Sequence, residues 1–185
     1  MRKLKLQVQT TIDGFISGPE GQMDWMQFPW TEDIGAYVGA LTEPVDTILL
    51  GRKLAEGFIP HWAALPSDTP GADKMNHSRR VVFSKTLETS PWENASIAGG
   101  PLAETVQQLK SEPGGDLIVY GGGSFVSALL EADLIDELNL FINPAAIGKG
   151  MPIFDKLSSL RRFQLLEARA FECGVAVLKY ALIKT

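Results

Sequence analysis

Apolar and polar residues alternate at the start of the chain, with Leu4, Leu6 and Val8 set against Lys3, Lys5, Gln7 and Gln9. A period of two over this length predicts a half-buried strand at 3–10. Asp13-Gly14 is a turn pair, and Phe15-Ile16 resumes the strand. Thr31 offers an N-cap, with Glu32 and Asp33 in the first turn of a helix that runs to about Leu41 and stops at Pro44. DTILL at 46–50 is a buried strand, and Gly51-Arg52 opens a second helix. Residues 59–77 carry Pro60, Pro66 and Pro70 and read as an irregular segment, long enough to be a lid or a site wall. RVVFS at 80–84 is a further buried strand.

The same alternation of elements then repeats. A short strand at 96–98 precedes a helix begun by Pro101 and ended by Pro113-Gly114-Gly115. A strand at 117–120, a helix at 124–132 and a strand at 135–142 follow. After the turn-rich NPAAIGKGMPIF, two partly alternating halves flank Glu172-Cys173-Gly174, which predicts an antiparallel hairpin from Phe163 to Ile183. Strands that alternate with helices predict an α/β domain over 1–185, with a mostly parallel sheet and antiparallel strands added at one edge.

Composition narrows the class. The 185 residues are 45% hydrophobic, enough for one full core, and the net charge of -5 is spread over both signs. No basic stripe suggests nucleic acid, and no apolar run suggests a membrane span. The N-terminus alternates where a signal peptide would be continuously apolar. Cys173 is the single cysteine, and the two histidines, His61 and His77, lie among prolines. The expectation is a cytoplasmic protein with no disulfide and no catalytic metal.

LIVYGGGSFVSALL, from Leu117 to Leu130, carries the sharpest signal. A buried strand meets Gly121, Gly122, Gly123 and Ser124 and then a helix. Glycines before a helix N-terminus let a phosphate approach backbone N–H groups. They also suit a tight strand-to-helix connection, and spacing alone supports both readings. The P-loop pattern fails for want of Gly-Lys-Ser/Thr, and Val126 stands where a Rossmann fingerprint needs its third glycine or alanine. Two other strand ends carry matching chemistry. Gly51, Arg52 and Lys53 follow one buried strand, and Ser84, Lys85 and Thr86 follow another. Three such ends suggest one extended ligand with several phosphates.

In this order, TTIDGFISGPEGQMDWM, LLGRKLAEGF, VVFSK, LIVYGGGSFVSALLEADLIDELNL and NPAAIGKGMPIF resemble the dihydrofolate reductase fold. They are most similar to the C-terminal reductase domain of the bifunctional riboflavin-biosynthesis deaminase/reductase and its stand-alone relatives. The resemblance implies a three-layer fold with NADPH as hydride donor. It places the pyrophosphate at Gly121, Gly122, Gly123 and Ser124. Gly51, Arg52 and Lys53 fall at the phosphates, and Ser84 and Lys85 near the adenosine end. Leu54 and Ala55 depart from the family, which usually has Thr and an aromatic there. The zinc deaminase signature is absent.

Hydride transfer to a heterocycle also needs a proton source. The resemblance puts a first-helix carboxylate at Asp33, whose other reading is compensation of the helix dipole. Asp13 lies in the matched TTIDGF motif, and its other reading is an Asx turn. Asp24 and Trp25, with Phe28 and Trp30, are candidates to line the substrate site; the aromatics would serve equally to cover the sheet edge. Arg79 and Arg80 would suit a phosphorylated substrate or simply flank a strand. Two function classes follow: an NADPH-dependent reductase of a pyrimidine or pteridine, including a riboflavin-pathway aminouracil, or a non-catalytic nucleotide-binding module. The apolar VAVLKYALI at 175–183 reads as an exposed edge strand, and the family leans toward dimers, so a homodimer through the C-terminal half is expected.

Overall fold

Leu49, Leu50, Val81, Val82, Leu117, Ile118 and Val119 are all buried, so three short strands are covered on both faces. That is the signature of a central parallel sheet between two helical layers. The structure is a computed structural model and describes residues 1–26 and 30–183. The sheet has strands β1 (Leu4–Thr11), β2 (Val45–Gly51), β3 (Arg79–Phe83), β4 (Ala95–Ala98), β5 (Asp116–Val119), β6 (Glu137–Asn143), β7 (Phe163–Ala170) and β8 (Ala176–Leu182). Their spatial order is β4-β3-β2-β5-β1-β6-β8-β7. Pairing is parallel from β4 through β6, and β8 lies antiparallel to both β6 and β7. This is the expected dihydrofolate reductase-like α/β architecture.

Among the described residues, five helices cover the sheet: α1 (Glu32–Thr42), α2 (Arg52–Ala64), α3 (Ala72–His77), α4 (Leu102–Ser111) and α5 (Gly123–Glu131). Helices α4 and α5 bury Val106, Leu109, Val126 and Leu129 against Leu6, Val8, Leu49 and Val119. On the opposite face α2 and α3 bury Ala55, Ile59 and Met75 against Ile48, Leu50, Val82 and Ile118. Helix α1 shares that second face further along, through Ile34 and Leu41 on Phe141 and Val177. Fully burying one such aliphatic side chain contributes about 1.5–3 kcal/mol, so these layers dominate the fold's stability.

Three expectations need correction. First, β1 is not half-buried: Lys5 and Gln7 are each only 7% exposed. The strand sits mid-sheet, and helices cover its polar face as well. Second, 59–77 is not irregular throughout. Helix α2 runs through Pro60 to Ala64, and α3 follows. Pro60 removes one backbone donor, but Ile59 is buried and Phe58 and Trp62 pack together, which holds the turn in place. Third, 175–183 is not the edge. Strand β8 lies between β6 and β7, and Val175 and Val177 are buried in the chain's own core. The edge is β7, with Leu165 and Leu166 exposed.

The end of the sheet where the parallel strands begin is closed by charge. Buried Arg2 donates to Asp46 and to Thr47 Oγ1 (2.8 Å). Arg79 pairs with Glu112, and Arg80 donates to the carbonyls of Asn76 and Glu93. Both arginines therefore hold elements together at the opening of β3, away from the strand ends where the candidate ligand elements lie.

Candidate functional site

Strands β3, β2 and β5 are consecutive in the sheet and parallel. Their carboxyl ends lead into Ser84-Lys85, Gly51-Arg52-Lys53 and Gly121–Ser124 respectively. The fold thus brings all nine cofactor candidates to one edge of the sheet. At about 4.8 Å between strands, the three elements span about 10 Å. Helix α2 leaves β2 on one face and α5 leaves adjacent β5 on the other. A crevice opens at such a switch point, where open α/β sheets bind ligands.

The glycines differ in what they do. Gly121 (φ 125°) and Gly122 (φ 81°) have backbone conformations that side chains rarely adopt, and the space beyond Gly121 is open. At Gly123 a Cβ would overlap the Met151 side chain and touch Ile16. The third glycine therefore makes room for the chain's own 144–154 segment.

Gly122 is the N-cap of α5, and its carbonyl accepts from Phe125 N (2.8 Å) and Val126 N (3.0 Å). No side chain caps α5, and none caps α2 at Gly51. The two helix starts face each other: a Cβ on Gly51 would lie 3.0 Å from Phe125, and one on Gly122 would lie 3.7 Å from Leu54. Two N-termini without side-chain caps therefore converge at this switch point, where helix starts carry free amides and a partial positive charge. That arrangement fits a pyrophosphate. Leu54 makes one wall apolar where the family usually has a hydroxyl.

The side chains around this turn are less committed. Arg52 pairs with Glu56 (2.5 Å) across one turn of α2, and Lys53 is exposed. Ser84 Oγ accepts from Thr86 N (3.1 Å) and Leu87 N (3.0 Å) and lies 3.4 Å from Thr86 Oγ1, which can take its proton. Lys85 and Ser124 are exposed.

The carboxylates are fastened to backbone. Asp13 Oδ2 accepts from Gly148 N (2.7 Å) and Ile147 N (3.1 Å). The Thr11 hydroxyl, then these amides, hold its carboxyl below the usual range. Asp33 accepts from the Thr31 hydroxyl, Ile34 N (2.8 Å) and Glu172 N (3.0 Å), and the Thr31 contact leads in lowering it. Asp13 pins the turn after β1 to the 144–148 segment; Asp33 pins α1 to the β7–β8 turn. Asp24 is exposed on a 3-10 turn, whereas Trp25 is buried with its Nε1 unpartnered among the described residues. Trp30 stacks on Phe141 at 6.4 Å, and Phe28 lies outside the described residues.

A further group was hidden in the alternation. On the face of β1 between α1 and α2 lie Lys5, Gln7, Gln9 and Thr11, which belong to no apolar cluster. The register sets Lys5 beside Glu137, Gln7 beside Asn139, and Thr11 beside Asn143. Lys5 pairs with Asp116 (3.0 Å), Lys179 with Glu137 (3.4 Å), and Asn143 donates to Gln9 (2.8 Å). The polar seam thus separates two apolar clusters and runs toward the strand ends. Alternating polar residues on two strands of a helix-covered sheet were the available signal: such residues are interior and need a task.

Comparison with known proteins adds the family. The RibD C-terminal domain model matches residues 2–177. The Bacillus subtilis protein YyaP, whose function is uncharacterized, is 30% identical over 97% of this chain and 94% of its own. A Shewanella sp. PV-4 structure, provisionally named a riboflavin biosynthesis protein, superposes with a TM-score of 0.80 at 22% identity, over all of both chains. A Thermotoga maritima diaminohydroxyphosphoribosylaminopyrimidine deaminase/5-amino-6-(5-phosphoribosylamino)uracil reductase gives 0.71 at 18% identity, covering 98% of this chain and 57% of that one.

Proposed function

Because the chain belongs to the RibD C-terminal domain family, we propose that it is an NADPH-dependent reductase of a small pyrimidine or pteridine, with a riboflavin-pathway aminouracil the first candidate. The observation that carries this is the convergence of two helix N-termini without side-chain caps beside the open space at Gly121. In this reading the amides of Gly123 and Ser124 hold the pyrophosphate. Gly51, Arg52 and Lys53 face the phosphates, and Ser84 and Lys85 take the adenosine end with its 2'-phosphate. NADPH supplies the hydride. Asp24 and Trp25 border the substrate. Asp13 and Asp33, the candidate acids, already accept several hydrogen bonds as carboxylates and hold the turn and α1 that flank the cleft.

A second reading, a nucleotide-binding module without turnover, draws support from Leu54 and from these two engaged carboxylates. Titration with NADPH, then measurement of NADPH consumption with 5-amino-6-(5-phosphoribosylamino)uracil and a pteridine panel, separates the two. Consumption with one of these substrates is the expected result. Binding without consumption leaves the module, and absence of NADPH binding overturns both.

The functional unit in this reading is a cytoplasmic pair of chains. Among the described residues, no helix is long and apolar enough to cross a membrane. Beyond α5, one face of β8 and β7 carries Phe163, Leu165, Ala168, Leu178, Tyr180 and Leu182, of which Leu165 and Ala168 are exposed and the others partly exposed. An uncharged, apolar sheet face of this kind supports pairing with a second copy of itself about a two-fold axis.

A further inference from the structure

Gln7 and Asn139 are neighbours across β1 and β6, and Asn139 is fully buried. Each has an amide oxygen without a donor among the described residues. For Asn139 the orientation is dictated by chemistry. Its nitrogen donates to Leu6 O (3.2 Å) and Glu137 Oε1 (3.3 Å), two acceptors that an oxygen could not serve. Its oxygen must therefore point the other way, where no described residue donates to it. A buried acceptor left empty is destabilising, so two side by side on one face need a compensating partner.

The surroundings indicate the partner's chemistry. The seam lies between α1, packed on Phe141, and α2, packed on Ile118. It continues along β1 to half-buried Gln9 and the strand ends where the cofactor elements lie. The charges below it are already matched, Lys5 with Asp116 and Glu137 with Lys179. What remains unmatched is a pair of neutral acceptors.

We infer that Gln7 and Asn139 form a recognition pair for an uncharged ring that presents N–H donors at its edge. They fix the ring's orientation and discriminate against rings whose nitrogens are alkylated. The inference rests on the reductase reading, since it places the ring beside the cofactor. It concerns specificity and assigns neither residue to the chemical step.

Calorimetric titration with 5,6-diaminouracil and with its 1,3-dimethyl derivative tests it, with and without NADPH. Methylation removes the ring donors while keeping the ring. The wild-type chain is expected to bind the parent at least about tenfold more tightly. Gln7→Met keeps the shape and removes the acceptor. It is expected to weaken the parent about tenfold, leave NADPH affinity unchanged, and hold or raise Tm, because an unpaired buried group is gone. Equal affinity for the two rings, no binding of either, or unchanged parent affinity in folded Gln7→Met would overturn the inference. So would a Gln7→Met chain that fails to fold, which would assign Gln7 to the scaffold. If NADPH does not bind, the cofactor reading fails alone, and ring discrimination still decides this one.

Discussion

At the scale of single residues, Asp33 shows how one position serves two expectations. The sequence places a carboxylate in the first turn of α1, and both dipole compensation and substrate contact follow from that. The structure ties it to Thr31, Ile34 and Glu172. Because its folded pKa is depressed, its contribution to stability is present above its unfolded value near 3.8 and is lost as pH falls through the folded value. Asp33→Asn should therefore lower Tm at neutral pH, with the gap to wild type closing below about pH 4. Thermal melts from pH 7 to pH 3 check this. Turnover in Asp33→Asn should stay within about threefold of wild type if its task is positioning. Loss of turnover with unchanged melting would restore the proton-transfer role. No sequence pattern could have shown the Glu172 contact, since its partners are 139 positions apart.

At the scale of elements, the parallel strands and the glycine turn were legible, because continuous apolar runs and Gly-Gly-Gly-Ser have few alternative structures. Boundaries moved by one or two residues. Two larger differences have a shared cause. Pro60 suggested a break, and the alternation of β1 suggested a wetted face; in both, tertiary packing overrode the local signal. Aromatic and aliphatic contacts hold α2 across its proline, and α1 with α2 encloses the polar side of β1. The order of β8 and β7 was likewise beyond a local pattern. Both strands alternate, and only β8's pairing with β6 puts it inside. The same limit hid the amide pair: Gln7 and Asn139 look like ordinary surface positions until their strands are neighbours.

At the scale of the whole molecule, uncovered surface and converging elements define what the chain does. The apolar face of β8 and β7 predicts a dimer. Light scattering at micromolar concentration should give twice the chain mass of 20.1 kDa, and Leu165→Lys, at an exposed position, should return it to the single mass with its fold intact. A single-chain mass for the wild type would rule the pairing out. Charged changes at Val175 or Val177 would test folding only, since both are core. The proposed function rests on a different convergence, that of the neighbouring ends of β3, β2 and β5, with Gly121–Ser124 following β5. The most direct measurement is the NADPH affinity of Ser124→Asp beside that of the wild type. Ser124 is exposed in the first turn of α5, where a carboxylate favours the helix by about 0.3–1 kcal/mol. The variant should thus fold at least as well, yet set a negative charge against the pyrophosphate. Binding in the wild type, weakened at least about tenfold in the variant with Tm held or raised, is the predicted result. Equal affinity in the two folded proteins would contradict the placement of the cofactor on this turn.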